Sequence, residues 1–185
     1  MELQYIQSVI NQFEYYKSVA EKTFNQLNEQ DYFWQYNNES NSIAIIVNHL
    51  WGNMKSRWTD FLTSDGEKQW RNRDLEFELV IQNKEEFYEK WNDGWKTLFE
   101  ALNEINIQNF NTKIYIRNQE HSIIDAINRQ LAHYAYHIGQ IVFIGKMIKD
   151  NKWLSLTISK GNSNQFNKEK FSKGKHGGHF SDDIK

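Results

Sequence analysis

Two histidines four residues apart, His133 and His137, lie in the segment Arg129-Gln130-Leu131-Ala132-His133-Tyr134-Ala135-Tyr136-His137-Ile138-Gly139-Gln140. On a helix such residues stand one above the other on the same face, so their imidazoles could close on a single metal ion. Two ligands make half a site. The other histidine in strongly apolar sequence is His49, in Val47-Asn48-His49-Leu50-Trp51-Gly52-Asn53. A helix carrying it alongside the first would complete a three-histidine site. Three protein nitrogens with an open fourth position are the arrangement of a catalytic or substrate-binding metal, whereas a structural site is closed. Zn, Ni and Fe all suit imidazole ligands, and the ring nitrogens turned away from the ion would need oriented acceptors. The competing reading is that one histidine hydrogen-bonds within the core, another faces solvent, and His49 is unrelated.

Arg129, one turn before His133, either orients an anionic substrate beside the ion or pairs with an acidic residue across the bundle. His176 and His179 form a second spaced pair, but in a glycine-rich tail without a rigid scaffold. Adventitious metal uptake or no role fits them better than catalysis. His121, beside Ser122, is best explained as a helix-start residue.

The elements that must position these side chains are mostly helical. From Leu3 to Leu27 the apolar residues Ile6, Val9, Ile10, Phe13, Ala20, Phe24 and Leu27 recur at threes and fours, the stripe of a helix with one buried face. The polar run from Asn28 to Asn41 is broken by Tyr32, Phe33 and Trp34, an aromatic cluster placed to close one end of the core. Ser42 is a candidate N-cap for a second helix that ends near Leu62, with His49 at the edge of its stripe. Gly52, one turn beyond His49, permits close approach of another element or a ligand. Trp70 to Phe77 is dense in charge, and its composition does not identify its conformation. Asn83 with Glu86 offers a capping box for a third helix burying Phe87, Trp91, Trp95, Leu98 and Leu102. Thr112, Ile114 and Ile116 alternate with Lys113, Tyr115 and Arg117, predicting a short extended excursion or hairpin before helix four. Ser122 and Asp125 open that fourth helix, which carries His133 and His137 and runs on towards Ile148.

The chain reads as all-α: a helical-bundle domain over residues 1–158, with a C-terminal arm around Trp153 to Ile158, and a tail over 159–185, mobile unless docked. The apolar fraction is low at 39%, but seven Trp, nine Tyr and twelve Phe place much of the burial in large rings. Lys plus Arg number 22 against 24 Asp plus Glu, giving a formal charge of -2 without a periodic basic face. Nucleic acid is therefore not an expected partner, since phosphate neutralisation has no visible source. There is no cysteine, so disulfides, thiolate ligands and a cysteine nucleophile are excluded. Any thiol in the chemistry belongs to a substrate. No apolar run reaches membrane-spanning length and the first residues lack signal-peptide character, so the expectation is a cytoplasmic protein without membrane association.

His49, the His133/His137 pair and the following Gly139-Gln140-Ile141 resemble the DinB/YfiT-like superfamily of metalloenzymes. More narrowly, Ser42 to Arg57, Trp70-Arg71-Asn72-Arg73-Asp74 with Glu76-Phe77, and Arg129 to Ile141 are similar to a DinB-like bacterial subgroup of uncharacterised proteins. The resemblance implies an unusual four-helix bundle, often dimeric, whose three histidines bind Ni, Zn or a related divalent ion. Some relatives transfer low-molecular-weight thiols such as bacillithiol or mycothiol to electrophiles, and others isomerise maleylpyruvate with a thiol cofactor. Carried onto this chain, His49, His133 and His137 would hold an ion that activates a small thiol for transfer to a small electrophile, with a homodimer as the expected assembly. The alternative is a noncatalytic metal-binding or stress-related helical protein. Related sequences tend to carry proline after the position of Ile158, where this chain has Ser159, so the arm departs from the subgroup's pattern.

Overall fold

In the computed structural model, which describes residues 2–182, the chain is mainly helical with one small sheet. Its long helices are α1 (Glu2–Phe24), α2 (Ile43–Trp58), α3 (Lys84–Asn103) and α4 (Ile123–Lys149). Strands β1 (Lys113–Ile116) and β2 (Gln119–Ser122) pair antiparallel between α3 and α4, and a short α5 (Ser163–Ser172) lies in the tail. Met1 and residues 183–185, the first residue of the expected bundle domain and the last three of the expected tail, lie outside the described residues.

Helix α2 packs on α3 and α4, while α1 packs on α4 and α3. Between them the aromatic side chains form the core. Phe13 from α1 meets Trp58, Trp95 and Tyr134 from the other three helices. A second group joins Phe24 to Tyr32, Phe87 and Trp91, with Tyr32 stacked on Phe87 at 4.5 Å. Tyr32 comes from a 3-10 turn at Glu29–Phe33 inside the polar connection, so of the expected aromatic cluster Tyr32 closes one end of the core, while Phe33 is half-buried and Trp34 is exposed.

The helix starts follow local chemistry. Ser42, Asn83 and Ser122 each accept the amide three residues on, satisfying a donor that the first turn leaves free. At Asn83 the reciprocal bond is displaced by one residue, since Glu86 accepts from Gln82 N–H. Two positions depart from the sequence reading. Helix α2 ends at Trp58, not near Leu62, because Asp60 turns left-handed (φ 50°) and its carbonyl takes the amides of Thr63 and Ser64. The side chains of Ser56 and Arg57 then hold the Gly66 carbonyl, folding the loop back beneath the helix end. The tail contains α5, an added helix with no buried residue. The tail's last described part is docked, with Phe180 edge-on to Tyr15 at 5.1 Å and Ser181 buried.

The period-two stretch is a hairpin, with Ile114 and Ile116 buried and Lys113, Tyr115 and Arg117 exposed. Its turn residues Arg117 and Asn118 both have positive φ, 56° and 61°, as a tight two-residue hairpin turn requires. Asp65 accepts both of their amides, at 2.9 and 2.8 Å, which places Arg117 beside α2's trailing loop. The arm after α4 is anchored by Gln26, whose amide exchanges two hydrogen bonds with the Leu154 backbone.

A candidate metal centre

Helices α2 and α4 are held in register by a buried hydrogen-bond chain. Trp58 Nε1 donates to the Tyr134 hydroxyl at 3.0 Å, and that hydroxyl donates to Asn53 Oδ1 at 3.0 Å. Burial keeps the phenol protonated by pushing its pKa well above the usual tyrosine value. Asn53 is one turn after His49 and Tyr134 is the neighbour of His133, so this bond brings the histidine-bearing segments together.

They meet at three ring nitrogens. His133 Nε2 stands 3.2 Å from His49 Nε2 and 3.0 Å from His137 Nε2. One ligand atom from each of the three histidines lies within 4.8 Å of the other two, the one such group of three or more His, Cys, Asp or Glu among the described residues. Nitrogens about 2.0–2.1 Å from a tetrahedral zinc stand about 3.3–3.4 Å from one another, so the two observed separations are within a few tenths of an ångström of that spacing.

The outward ring nitrogens have acceptors. His49 Nδ1 lies 2.9 Å from Glu76 Oε2, and a carboxylate can only accept, so this nitrogen carries the proton. His137 Nδ1 donates to Gln140 Oε1 at 2.7 Å, while the same amide donates to the Tyr136 hydroxyl. Both Nε2 atoms therefore present lone pairs inward. His133 Nε2, between them, can donate a proton to one neighbour but not to both. A cation in the middle removes this conflict, and the donor set thus fits a divalent ion. Burial first, then the neighbouring His137, His49, Arg57 and Arg71, pushes the pKa of His133 down to about 3. Burial and His49 push His137 down to about 4 against the opposing bond to Gln140. Both are neutral at pH 7, the form that ligates.

Glu76 is the residue that sequence reasoning missed. It sits in a 3-10 turn (Leu75–Phe77) packed on α2, where Asn48 Nδ2 holds the Leu75 and Glu76 carbonyls. Arg71 grips its carboxylate with Nε to Oε1 at 2.6 Å and Nη2 to Oε2 at 2.9 Å. Burial pushes the Glu76 carboxyl up, but the bonds from Arg71 and His49 outweigh it and hold the pKa below the usual range. Gly52 makes the room: a Cβ there would stand 2.5 Å from Glu76 Oε1. The available signal was the need of an outward histidine nitrogen for an acceptor, together with a glycine one turn after His49.

The centre opens on a cavity of about 550 Å³ whose lining includes all three histidines, Phe77, Arg129 and Tyr136. Phe77 stacks on the His49 ring at 4.6 Å. Arg129 lines the cavity and has no ion-pair partner among the described residues, so the cross-bundle pairing considered for it is not formed there. The remaining histidines lie elsewhere. His121 is on β2 opposite Ile114, one residue before the Ser122 cap, and in the tail His176 faces the Gly174 carbonyl while His179 pairs with the Ser181 hydroxyl. Among the described residues, no helix is long and apolar enough to cross a membrane.

No curated protein and no solved structure matches this chain. A family model described as a protein of unknown function, DUF1572, matches residues 1–162, a span that contains all four long helices, the three clustered histidines, Glu76 and the arginines of the cavity. The chain is a member of the DUF1572 family.

Proposed function

We propose that this protein is a divalent-metal-dependent transferase of DinB/YfiT-like type, its four long helices forming that superfamily's bundle, which activates a low-molecular-weight, bacillithiol-like thiol for transfer to a small electrophile. The observation that carries the reading is the convergence of His49, His133 and His137 at the wall of an open cavity, with outward nitrogens held by Glu76 and Gln140. These three residues would hold Ni or Zn, with Fe also compatible with the donor set. A bound ion would supply Lewis acidity, lowering the pKa of a thiol so that the thiolate is available near neutral pH.

The protein's own groups do the rest. Glu76 and Gln140 keep the protons of His49 and His137 on Nδ1, so neither ring can turn its N–H towards the substrate. Arg129, one turn before His133 and on the cavity wall, places the acidic part of the thiol. In the transfer the S–H proton goes to solvent, an S–C bond forms, and the electrophile's leaving group departs with the electrons of the broken bond. A cytoplasmic homodimer belongs to the same proposal.

The test is metal content and thiol-transfer turnover on tag-free wild type and His133→Ala, with matched metals and a panel of thiols and electrophiles. Metal-dependent turnover in the wild type, lost together with the metal in the variant, supports the reading. Stoichiometric metal without turnover favours the noncatalytic metal-binding module. Equal metal content in both proteins would refute the histidine site.

A further inference from the structure

The cavity in front of the three histidines is lined by five arginines, Arg57, Arg71, Arg73, Arg117 and Arg129, and by no aspartate or glutamate. Three of them are matched by carboxylates behind the wall. Glu67 takes Arg57 at 3.0 Å, Arg71 at 3.1 Å and Arg117 at 3.3 Å, and Glu76 takes Arg71 through both oxygens. Five guanidiniums thus face two carboxylates. Arg73 and Arg129 have no carboxylate partner among the described residues.

Arg73 is not a loose surface cation. Its guanidinium lies 5.4 Å from the centroid of the Phe77 ring, and that ring stacks on His49.

We propose that this cavity binds a small ligand with at least two negative charges, held by Arg73 and Arg129. This deepens the reading above, because it assigns the substrate's charge at the same site and makes Arg73 a specificity residue beside Arg129. Carboxylate and phosphate groups share the required chemistry, since a guanidinium fork meets either with two parallel hydrogen bonds. A neutral thiol such as 2-mercaptoethanol would leave both arginines unanswered.

The test is equilibrium binding to chelator-stripped and zinc-loaded full-length protein, using succinate, neutral succinamide, methyl phosphate and mercaptosuccinate. Succinate binds at least tenfold more tightly than succinamide with or without zinc, and the double variant Arg73→Gln/Arg129→Gln weakens it at least tenfold. Both replaced side chains are exposed, and an unchanged urea midpoint verifies the fold. Methyl phosphate binding more tightly than succinate assigns the anion to the phosphate class, and the reverse order to the carboxylates. Mercaptosuccinate gains at least a further tenfold over succinate in the zinc-loaded protein alone. Absence of that gain, with succinate binding intact, refutes the metal-thiol reading and leaves the anion site standing. Equal binding of succinate and succinamide, or unchanged succinate binding in the double variant, overturns the anion site.

Discussion

Replacing Gly52 by alanine separates a helix's intrinsic preference from what the tertiary structure demands. Alanine is favoured over glycine inside a helix by about 1 kcal/mol, so the bare expectation is stabilisation. At Gly52 the new Cβ would stand 2.5, 2.7 and 2.9 Å from Oε1, Cδ and Cγ of Glu76. The carboxylate cannot yield freely, because Arg71 holds both its oxygens and His49 Nδ1 donates to one of them. Breaking a buried ion pair costs roughly 3–5 kcal/mol, so after the propensity gain Gly52→Ala should be destabilising by about 2–4 kcal/mol. Gly139→Ala is the internal control, lying in α4 with no atom within 4 Å of its added Cβ. It should stabilise by roughly 1 kcal/mol. Urea unfolding of the metal-free proteins gives both signs, and chelator competition gives the second consequence. A displaced Glu76 leaves His49 Nδ1 without its acceptor, which should weaken metal binding about 10- to 100-fold in Gly52→Ala only. Gly52→Ala as stable as Gly139→Ala, with unaltered metal affinity, would refute the account of Glu76 as the residue that orients His49.

Glu76→Gln, which keeps the shape but loses the charge, should lower metal affinity about 10- to 100-fold in the same competition assay. Retention of full affinity would place the orientation of His49 elsewhere. The stability of the metal-free protein should fall with acid from about pH 6.5. His133 and His137 titrate at about 3 and about 4 when folded, below an unfolded value of 6.5, so the unfolded chain takes up their protons first. Their stabilisation is complete above pH 6.5 and lost as pH falls through the folded values. Glu76, also depressed, acts in the same direction at lower pH. The urea midpoint measured between pH 7 and 4 should therefore decline, and less steeply in His133→Gln/His137→Gln. An identical slope in that variant would rule out these histidines as the source.

Much of the fold and part of the site can be read along the chain because their causes are local. The caps at Ser42, Asn83 and Ser122 need only an oxygen three residues before a free amide. The core stripes of α1, α3 and α4 need only the period of the helix. The alternation ending at Arg117-Asn118 needs only the pleat of a strand and two residues able to turn left-handed. The pairing of His133 with His137 is of the same kind, being one helical turn. The end of α2 is not legible in this way, because Phe61 continues its apolar stripe and is buried, although the backbone has already turned at Asp60. An apolar period records burial, and burial continues past the end of a helix. Helix α5 is illegible for the converse reason, since it buries no residue and so leaves no stripe to read.

Local spacing and composition are enough to establish that the chain is mainly helical, that it has no thiol of its own, and that three histidines lie in core-forming segments. That His49 meets the other two follows from helix packing, through a Trp58-Tyr134-Asn53 hydrogen-bond chain linking helices far apart in sequence. Packing likewise sets Glu76, in a turn with no regular period, as the acceptor His49 requires, and turns Arg73 and Arg129 to one cavity without carboxylate partners among the described residues. Hydrogen-bonded turns and side-chain periodicity act over three or four residues and are written in local spacing. The convergence of ligands, acceptors and charges depends on which helices pack together and in what register, and packing is a property of the assembled core.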